Sequence, residues 1–177
     1  KSEDAKRTVV ISAGTEHHAG IDPVEWLEAQ EGAESAWAPV SSNGLVDLAW
    51  LETYLGENAS RVALISLMWV NNETGAMAPI AEIAEACRQV DVPLHVDAVQ
   101  AATTEDVNMH DYRFAAMSLS GHKLGAPKGS GALFVRDGVP FEPLIHGGGQ
   151  EHGMRSGTEN VAWAVAFATA LEITHRH

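Results

Sequence analysis

The sequence predicts an α/β fold of three layers, in which a mostly parallel β-sheet is flanked by helices. Short apolar segments alternate with amphipathic ones along the chain, which is typical of parallel strands joined by helical connections. The longest apolar segment, residues 61–70, is continuous, as expected of a strand buried on both faces of such a sheet. The chain has 177 residues, 45% of them hydrophobic, which suits one domain with a substantial core.

The first half of the chain contains signals for three strands and two helices. Residues 8–12 are mostly β-branched and lead to Gly14, so we expect the first strand there. Asp22 and Pro23 provide an N-cap and a first-turn proline for a helix that extends to about Gln30. The other elements expected in this half are a strand at 36–40, a turn at 41–44, a helix at 48–55 between its cap Asp47 and Gly56, and the strand at 61–70.

The second half continues the alternation of helices and strands. Pro79 begins an amphipathic helix, and short apolar strands are expected at 93–97, 114–119 and 132–135. A final helix extends from Val161 to about Glu172 and is capped by Thr158 or a neighbour. The apolar face of the helix after Pro79 is formed by Ile80, Ile83, Ala84 and Cys87.

Polar side chains follow several of the predicted strands at the points where the strands end. Because the carboxyl ends of parallel strands meet at one edge of a sheet, and ligands bind beyond that edge, we expect these side chains to form one site. The expected members are His17 after the first strand, Asn72 after the longest, Asp97 and Gln100 after the next, and Ser120, His122 and Lys123 before a glycine-rich turn.

These residue types suit a pyridine cofactor that carries an aldehyde and a phosphate. Lys123 can form a Schiff base with the aldehyde, and Asp97 can keep the ring nitrogen protonated, which such a ring needs in order to accept electrons. The amides of Asn72 and Gln100 can contact the phenolic oxygen.

The ring also needs a stacking partner, and the phosphate needs donors. An imidazole at His17 or His18 can stack on the ring and move protons near neutral pH. Ser120, His122 and the local backbone can hold the phosphate.

Several of these residues also have a purely structural interpretation. A lysine in a glycine-rich segment is often a solvated loop residue, and an aspartate after a strand is often a helix N-cap. The pair Asn71-Asn72 is equally suited to a turn.

Five segments occur in the order found in cysteine desulfurases, which are pyridoxal-phosphate enzymes of the class V aminotransferase group. From about Thr8 onward the chain resembles their large domain, and the five segments in order are far more specific than any one alone. The segments are TEHHA at 15–19, VNNETG at 70–75, HVDAVQ at 95–100, SGHK at 120–123, and HGGGQE with MRSGT within 146–158. The resemblance implies the large-domain fold of fold-type I transferases, with residues 1–177 as a single cofactor-binding domain, truncated at both ends and without the small C-terminal domain.

The resemblance also implies roles for individual residues. Lys123 would bind pyridoxal 5'-phosphate covalently, Asp97 would pair with the ring nitrogen, and His17 would stack on the ring and act in proton transfer. The other implied contacts are Asn72 and Gln100 at the ring oxygen, Ser120 and His122 at the phosphate, and Thr158 at the phosphate of the neighbouring subunit of a homodimer.

The implied activity converts L-cysteine to L-alanine and passes the sulfur to a protein cysteine as a persulfide, for iron–sulfur cluster scaffolds or thiolation pathways. In the family, the accepting cysteine and the arginine that binds the substrate carboxylate lie beyond residue 177, and a Gly-Thr loop of the phosphate site lies before residue 1. Cys87 is expected to be a packed thiol in its helix and not a substitute acceptor. The chain alone is therefore expected to be inactive in persulfide formation.

Composition limits the partners and the compartment. The formal net charge of −13 argues against a nucleic-acid partner. Residues 1–7 are polar and charged and the apolar segments are short, so neither a signal peptide nor a membrane span is expected. The single cysteine favours a reducing, cytoplasmic compartment. The nine histidines permit metal binding, but no spacing matches a structural zinc site.

Two other classes of function remain open at this point. A selenocysteine lyase or another class V aminotransferase would share the roles of Lys123 and Asp97. A non-catalytic dimerisation or binding module could retain the same fold. An absorbance band from a cofactor bound through Lys123 separates the enzymes from the binding module.

Overall fold

A computed structural model describes residues 7–176, and within this range six strands form one sheet in the order β2-β1-β3-β4-β5-β6. Strands β1 to β5 pair in parallel, and β6 pairs antiparallel with β5. The strands are β1 (Val9–Ala13), β2 (Glu34–Ala38), β3 (Val62–Met68), β4 (Leu94–Asp97), β5 (Ala116–Ser120) and β6 (Gly131–Val135). The helices are α1 (His18–Glu31), α2 (Leu48–Asn58), α3 (Ile80–Gln89), the single turn α4 (Met109–Tyr112) and α5 (Val161–Arg176).

Helices cover both faces of the sheet. Helix α1 leads from β1 outward to β2, whereas α2 leads from β2 back across β1 to β3. Right-handed crossovers in opposite directions place their helices on opposite faces. Helices α2 and α3 pack together on one face, whereas α1 contacts β1 and β2. The predicted three-layer α/β fold with a mostly parallel sheet is confirmed.

The main hydrophobic core lies between the sheet and the layer formed by α2 and α3. Alternate strand residues such as Ile65, Leu67 and Val96 are fully buried in it, together with Leu51 and Ile83 from the two helices. Because side chains alternate between the faces of a strand, the intervening residues project from the other face, and several of these are polar. The polar residues therefore belong to the face on which the site lies.

The predicted start of the first helix is wrong. Helix α1 begins at His18, and His17 is its N-cap, since Nδ1 of His17 accepts a hydrogen bond from the N–H of Ala19 at 3.0 Å. Asp22 lies inside the helix and pairs with His18, and Pro23 is also internal. The Asp-Pro pair is a common helix start, but here an imidazole provides the capping acceptor five residues earlier.

Other boundaries differ by a few residues. Gly56 does not close α2, because its backbone is not in the left-handed region, and the helix continues to Asn58. Strand β2 lies two residues earlier than predicted. The cap of α5 is the neighbour Asn160, whose side chain accepts from the N–H of Trp163 at 3.2 Å, and α5 continues to Arg176.

The charged segment predicted to precede the first strand lies, except for Arg7, outside the described residues. None of the helices within residues 7–176 has the length and apolar character needed to cross a membrane. In the same range, no three His, Cys, Asp or Glu side chains are arranged to hold a metal ion.

Candidate active site

A cavity of about 300 Å³ opens at the carboxyl edge of the sheet, where β1, β3, β4 and β5 end. The structure brings together there all the side chains predicted from the strand ends, namely His17, Asn72, Asp97, Gln100, Ser120, His122 and Lys123. Ala19, Met68 and Val99, which the sequence did not single out, complete the lining. Thr158 is exposed and lies outside this lining, so it takes no part in the cavity of its own chain.

The floor of the cavity is formed by Met68, Asp97 and Ser120, the last residues of three adjacent strands. Asp97 accepts a hydrogen bond through Oδ1 from the N–H of Val99 at 2.9 Å. Asp97 is therefore not the N-cap of a helix, since the next helical turn has Gln100 as its N-cap, but one of its oxygens is bound to the local backbone. Oδ2 has no hydrogen-bond partner among residues 7–176, which leaves it available to a cationic group in the cavity.

Lys123 lies on a 3₁₀ turn, Gly121–Leu124, directly after β5. Its side chain is exposed and lines the cavity, and Gly125 ends the turn in the left-handed region with φ of 85°. Oγ of Ser120 lies 2.8 Å from Nδ1 of His122, so the two residues predicted to hold a phosphate form a hydrogen-bonded pair. The amine and this pair thus lie at neighbouring positions of one turn.

Two aromatic side chains of α5 pack on residues 121–130, which we name the Lys123 loop. A Cβ added at Gly129 would lie 2.6 and 2.8 Å from ring carbons of Trp163, and one added at Gly121 would lie 2.9 Å from the ring of Phe167. Glycine at these positions allows the helix to lie directly against the loop. The glycine-rich sequence therefore permits close packing of α5 on the segment that carries Lys123.

The structure distinguishes between the two adjacent histidines. His17 lines the cavity, and its N-cap bond occupies Nδ1, so a neutral ring carries its proton on Nε2. His18 does not line the cavity, and its Nδ1 lies 2.8 Å from Oδ1 of Asp22. The hydrogen bond to Asp22 raises the pKa of His18. Of the two candidates for a stacking imidazole, only His17 is placed for that role.

Asn71, for which the sequence indicates only a turn, connects two segments that carry residues of the site. Its side chain is buried, Oδ1 accepts from the N–H groups of Glu73 and Thr74 at 2.9 Å each, and Nδ2 donates to the carbonyl of Thr15 at 2.6 Å. Asn71 thereby ties the segment after β3 to the segment after β1. These two segments carry Asn72 and His17, so Asn71 sets their relative position.

Glu16 is a second residue that the sequence analysis gave no role. It follows β1 after Gly14 and Thr15, and burial raises its pKa to about 8; the backbone of Met68 acts against this shift, and the negative charge of Asp97 adds a smaller increase. A carboxyl group with this pKa is largely protonated at neutral pH. The sequence carried no signal for this state, because it depends on burial and on the neighbouring carboxylate.

Cys87 is a packed thiol of α3, as predicted. Its side chain is buried in the main core, and burial raises its pKa to about 12. Because the thiolate is the nucleophilic form, such a thiol is unreactive at neutral pH.

Comparison with known proteins identifies relatives across nearly the whole chain. Residues 2–177 match the family model described as Aminotransferase class-V. The chain is 42% identical over 173 residues to an IscS-like cysteine desulfurase of Mycobacterium tuberculosis, an alignment that covers 98% of this chain and 44% of that protein. It is also 42% identical over 173 residues to a mitochondrial cysteine desulfurase of Arabidopsis thaliana, with coverage of 97% and 37%.

Solved structures of similar proteins also match nearly the whole of this chain. A NifS-like protein superposes with a TM-score of 0.91 at 37% identity, covering 98% of this chain and 47% of that one. A structure described as SspA in complex with cysteine superposes with a TM-score of 0.88 at 34% identity, covering 96% and 48%. The chain spans less than half the length of each of these relatives. The predicted resemblance is confirmed, and this chain belongs to the class-V aminotransferase family.

Proposed function

We propose that this chain supplies the cofactor site of a cysteine desulfurase, which uses pyridoxal 5'-phosphate to convert L-cysteine to L-alanine. The observation that carries the proposal is the meeting of Lys123 and Asp97 in one cavity, with the amine on the loop and the carboxylate on the floor. The names of the relatives agree with it.

The donor set of the cavity fits this cofactor. Lys123 offers a primary amine to the aldehyde, and the carboxylate of Asp97 can accept a hydrogen bond from a protonated ring nitrogen. The remaining groups match the other polar atoms of the cofactor: the amides of Asn72 and Gln100 for the ring oxygen, and Ser120 with His122 for the phosphate.

In the proposed reaction, the Cβ–S bond of L-cysteine breaks and a new S–S bond forms with the sulfur of a protein cysteine. L-Cysteine and a thiol thus become L-alanine and a persulfide, with all atoms balanced and no further oxidant. The bound cofactor supplies the electron sink for this cleavage. Cys87 is buried and unreactive, so we assign the acceptor role to a cysteine outside residues 1–177.

The chain's own residues position and protect the reacting groups. The N-cap bond of His17 holds its ring in one orientation at the cavity, where it can stack on a flat ligand and donate from Nε2. Trp163 and Phe167 pack against Gly129 and Gly121 and thereby restrict the backbone of the Lys123 loop. These contacts favour the reactive geometry before a substrate binds.

We further propose a cytoplasmic homodimer that passes sulfur to an acceptor or scaffold protein and binds neither nucleic acid nor a membrane. Thr158 would contact the phosphate bound by the neighbouring subunit. Its exposure on this chain is what such a role requires. The formal charge of −13 is unfavourable for nucleic-acid binding.

Reconstitution with pyridoxal 5'-phosphate tests the proposal. Wild-type protein should develop an absorbance band at the edge of the visible range that borohydride abolishes, and mass spectrometry should locate the reduced adduct on Lys123. Lys123→Ala should lack the band, whereas Lys128→Ala, a matched control on the same loop, should keep it. A band that survives in Lys123→Ala, or a wild-type protein that develops no band, contradicts the proposed function.

A further inference from the structure

A row of three polar side chains lies beneath the floor of the cavity. Its members stand two residues before the floor residues of β3, β4 and β5, so both rows project from the same face of the sheet. The row consists of Ser66, His95 and Ser118, and its three side chains are half-buried.

His95 is the centre of this row and joins three strands. Its Nδ1 lies 2.9 Å from Oγ of Ser66 on β3, and its Nε2 lies 2.7 Å from Oγ of Ser118 on β5. A neutral imidazole has one donor and one acceptor nitrogen, and two hydroxyls satisfy both. The ring is therefore held in a fixed orientation, with both nitrogens occupied.

Asp97 lies directly above this row. It is two residues from His95 on the same face of β4, and it is paired in register with Ser118 of β5. The charge of Asp97 tends to raise the pKa of His95, but burial outweighs that effect and lowers it. Glu16, whose pKa the charge of Asp97 also raises, is kept protonated mainly by burial, with a pKa of about 8.

The interior around Asp97 is therefore electrically neutral at neutral pH apart from Asp97 itself. The other titratable groups near it, His17, His122 and Lys123, line the cavity, on the side from which a ligand would approach. A cation beneath the floor would pair with Asp97, stabilise its ionised form and weaken its preference for a protonated ring nitrogen.

We propose that His95, bridged between Ser66 and Ser118, is a positioning residue for Asp97. It supports the floor of the site as a neutral group, so that the cation Asp97 meets is the ring nitrogen of the bound cofactor. This inference rests on the proposed function, because it assigns His95 a role toward the pyridine ring. It goes beyond that function in naming a residue that touches neither cofactor nor substrate.

The charge state of His95 can be measured without cofactor. In NMR titrations of the protein before reconstitution, the imidazole signal of His95, assigned by its loss in His95→Gln, should titrate below the ordinary histidine pKa of about 6.5. Titration of His95 at or above that ordinary value would overturn the proposal.

The positioning role is tested with two substitutions in the reconstituted protein. Glutamine retains one donor and one acceptor and stays neutral, so His95→Gln should keep the cofactor dissociation constant within about threefold of wild type. His95→Ala removes the support and should weaken cofactor binding about tenfold or more and shift the pH midpoint of the cofactor band. Ser118→Ala removes the hydroxyl that pairs with Nε2 of His95. It should shift the pH midpoint of the cofactor band in the same direction as His95→Ala does, but by less.

The controls separate three explanations. Ile83→Val, a mild core change on the opposite face of the sheet, should lower stability without moving the pH midpoint of the cofactor band, since Ile83 of α3 is buried in the main core. Equal spectral shifts in Ile83→Val and His95→Ala would reduce His95 to a general packing role and refute the proposal. An unchanged band in both His95→Ala and Ser118→Ala would also refute it. A wild-type protein with no band that depends on Lys123 would instead refute the proposed function.

Discussion

Replacing Gly129 by alanine should destabilise the protein through two separate effects. Gly129 has φ of +87°, a left-handed conformation that costs alanine about 1–2 kcal/mol. The added methyl would also lie 2.6 and 2.8 Å from ring carbons of Trp163, and such overpacking costs about 1–3 kcal/mol. Alanine restricts the unfolded chain, which offsets about 0.4–1 kcal/mol. The free energy of unfolding should therefore fall by about 1–5 kcal/mol.

Gly138 provides a matched control for the backbone effect. Its φ is +84°, but no atom lies within 4 Å of an added Cβ. Gly138→Ala should therefore show only the conformational cost, and the difference between the two variants measures the contact with Trp163. Both free energies can be obtained from denaturant unfolding followed by circular dichroism.

A double-mutant cycle makes the reasoning refutable. In a Trp163→Ala background the space above Gly129 is free, so Gly129→Ala should cost no more than Gly138→Ala does. If Gly129→Ala costs the same with and without the indole ring, the clash does not exist and α5 does not press on the Lys123 loop.

Three further predictions follow from buried groups. Burial raises the pKa of Glu16 from 4.5 in the unfolded state to about 8 in the folded state, so the folded protein binds this proton more tightly. The protonated carboxyl group therefore contributes its full stabilisation below pH 4.5, and this stabilisation is lost as the pH rises through about 8. Unfolding free energies across this range should show that loss in wild type and not in Glu16→Gln, and parallel profiles would contradict it. Cys87, with its pKa of about 12, should react with iodoacetamide only when denaturant opens the fold, and rapid labelling of native protein would contradict its burial. Asn71→Ala should lower the unfolding free energy by about 1–3 kcal/mol, because two backbone N–H groups lose their acceptor, whereas Asn72→Ala should change it by less than about 0.5 kcal/mol. Equal losses at the two asparagines would contradict the distinction.

The convergence of polar residues was predictable from local patterns. Apolar segments separated by helices imply parallel strands, and parallel connections bring the carboxyl ends of the strands to one edge. His17, Asn72, Asp97 and Lys123 could therefore be assigned to one site before any distance was known, and the cavity contains all four.

Helix ends were predicted less well, because the competing signals there are weak. The Asp22-Pro23 pair predicted a start that the capping bond of His17 overrides, and Gly56 continues its helix because its backbone stays out of the left-handed region. The start of α1 thus depends on a hydrogen bond and the end of α2 on a backbone dihedral angle. Residue type alone determines neither.

By itself, the sequence determined the sheet, the edge that carries the site, the residues gathered there and the family. These properties depend on periodicity, chain connectivity and motif order, which are all local or linear in the chain. Only the tertiary structure decided which neighbours act on those residues: the tie from Asn71 to Thr15, the bridge of His95 between Ser66 and Ser118, and the packing of α5 on the Lys123 loop. Most of these contacts join residues far apart in the chain, and hydrogen bonding and burial there depend on distances that exist only after the strands and helices have packed.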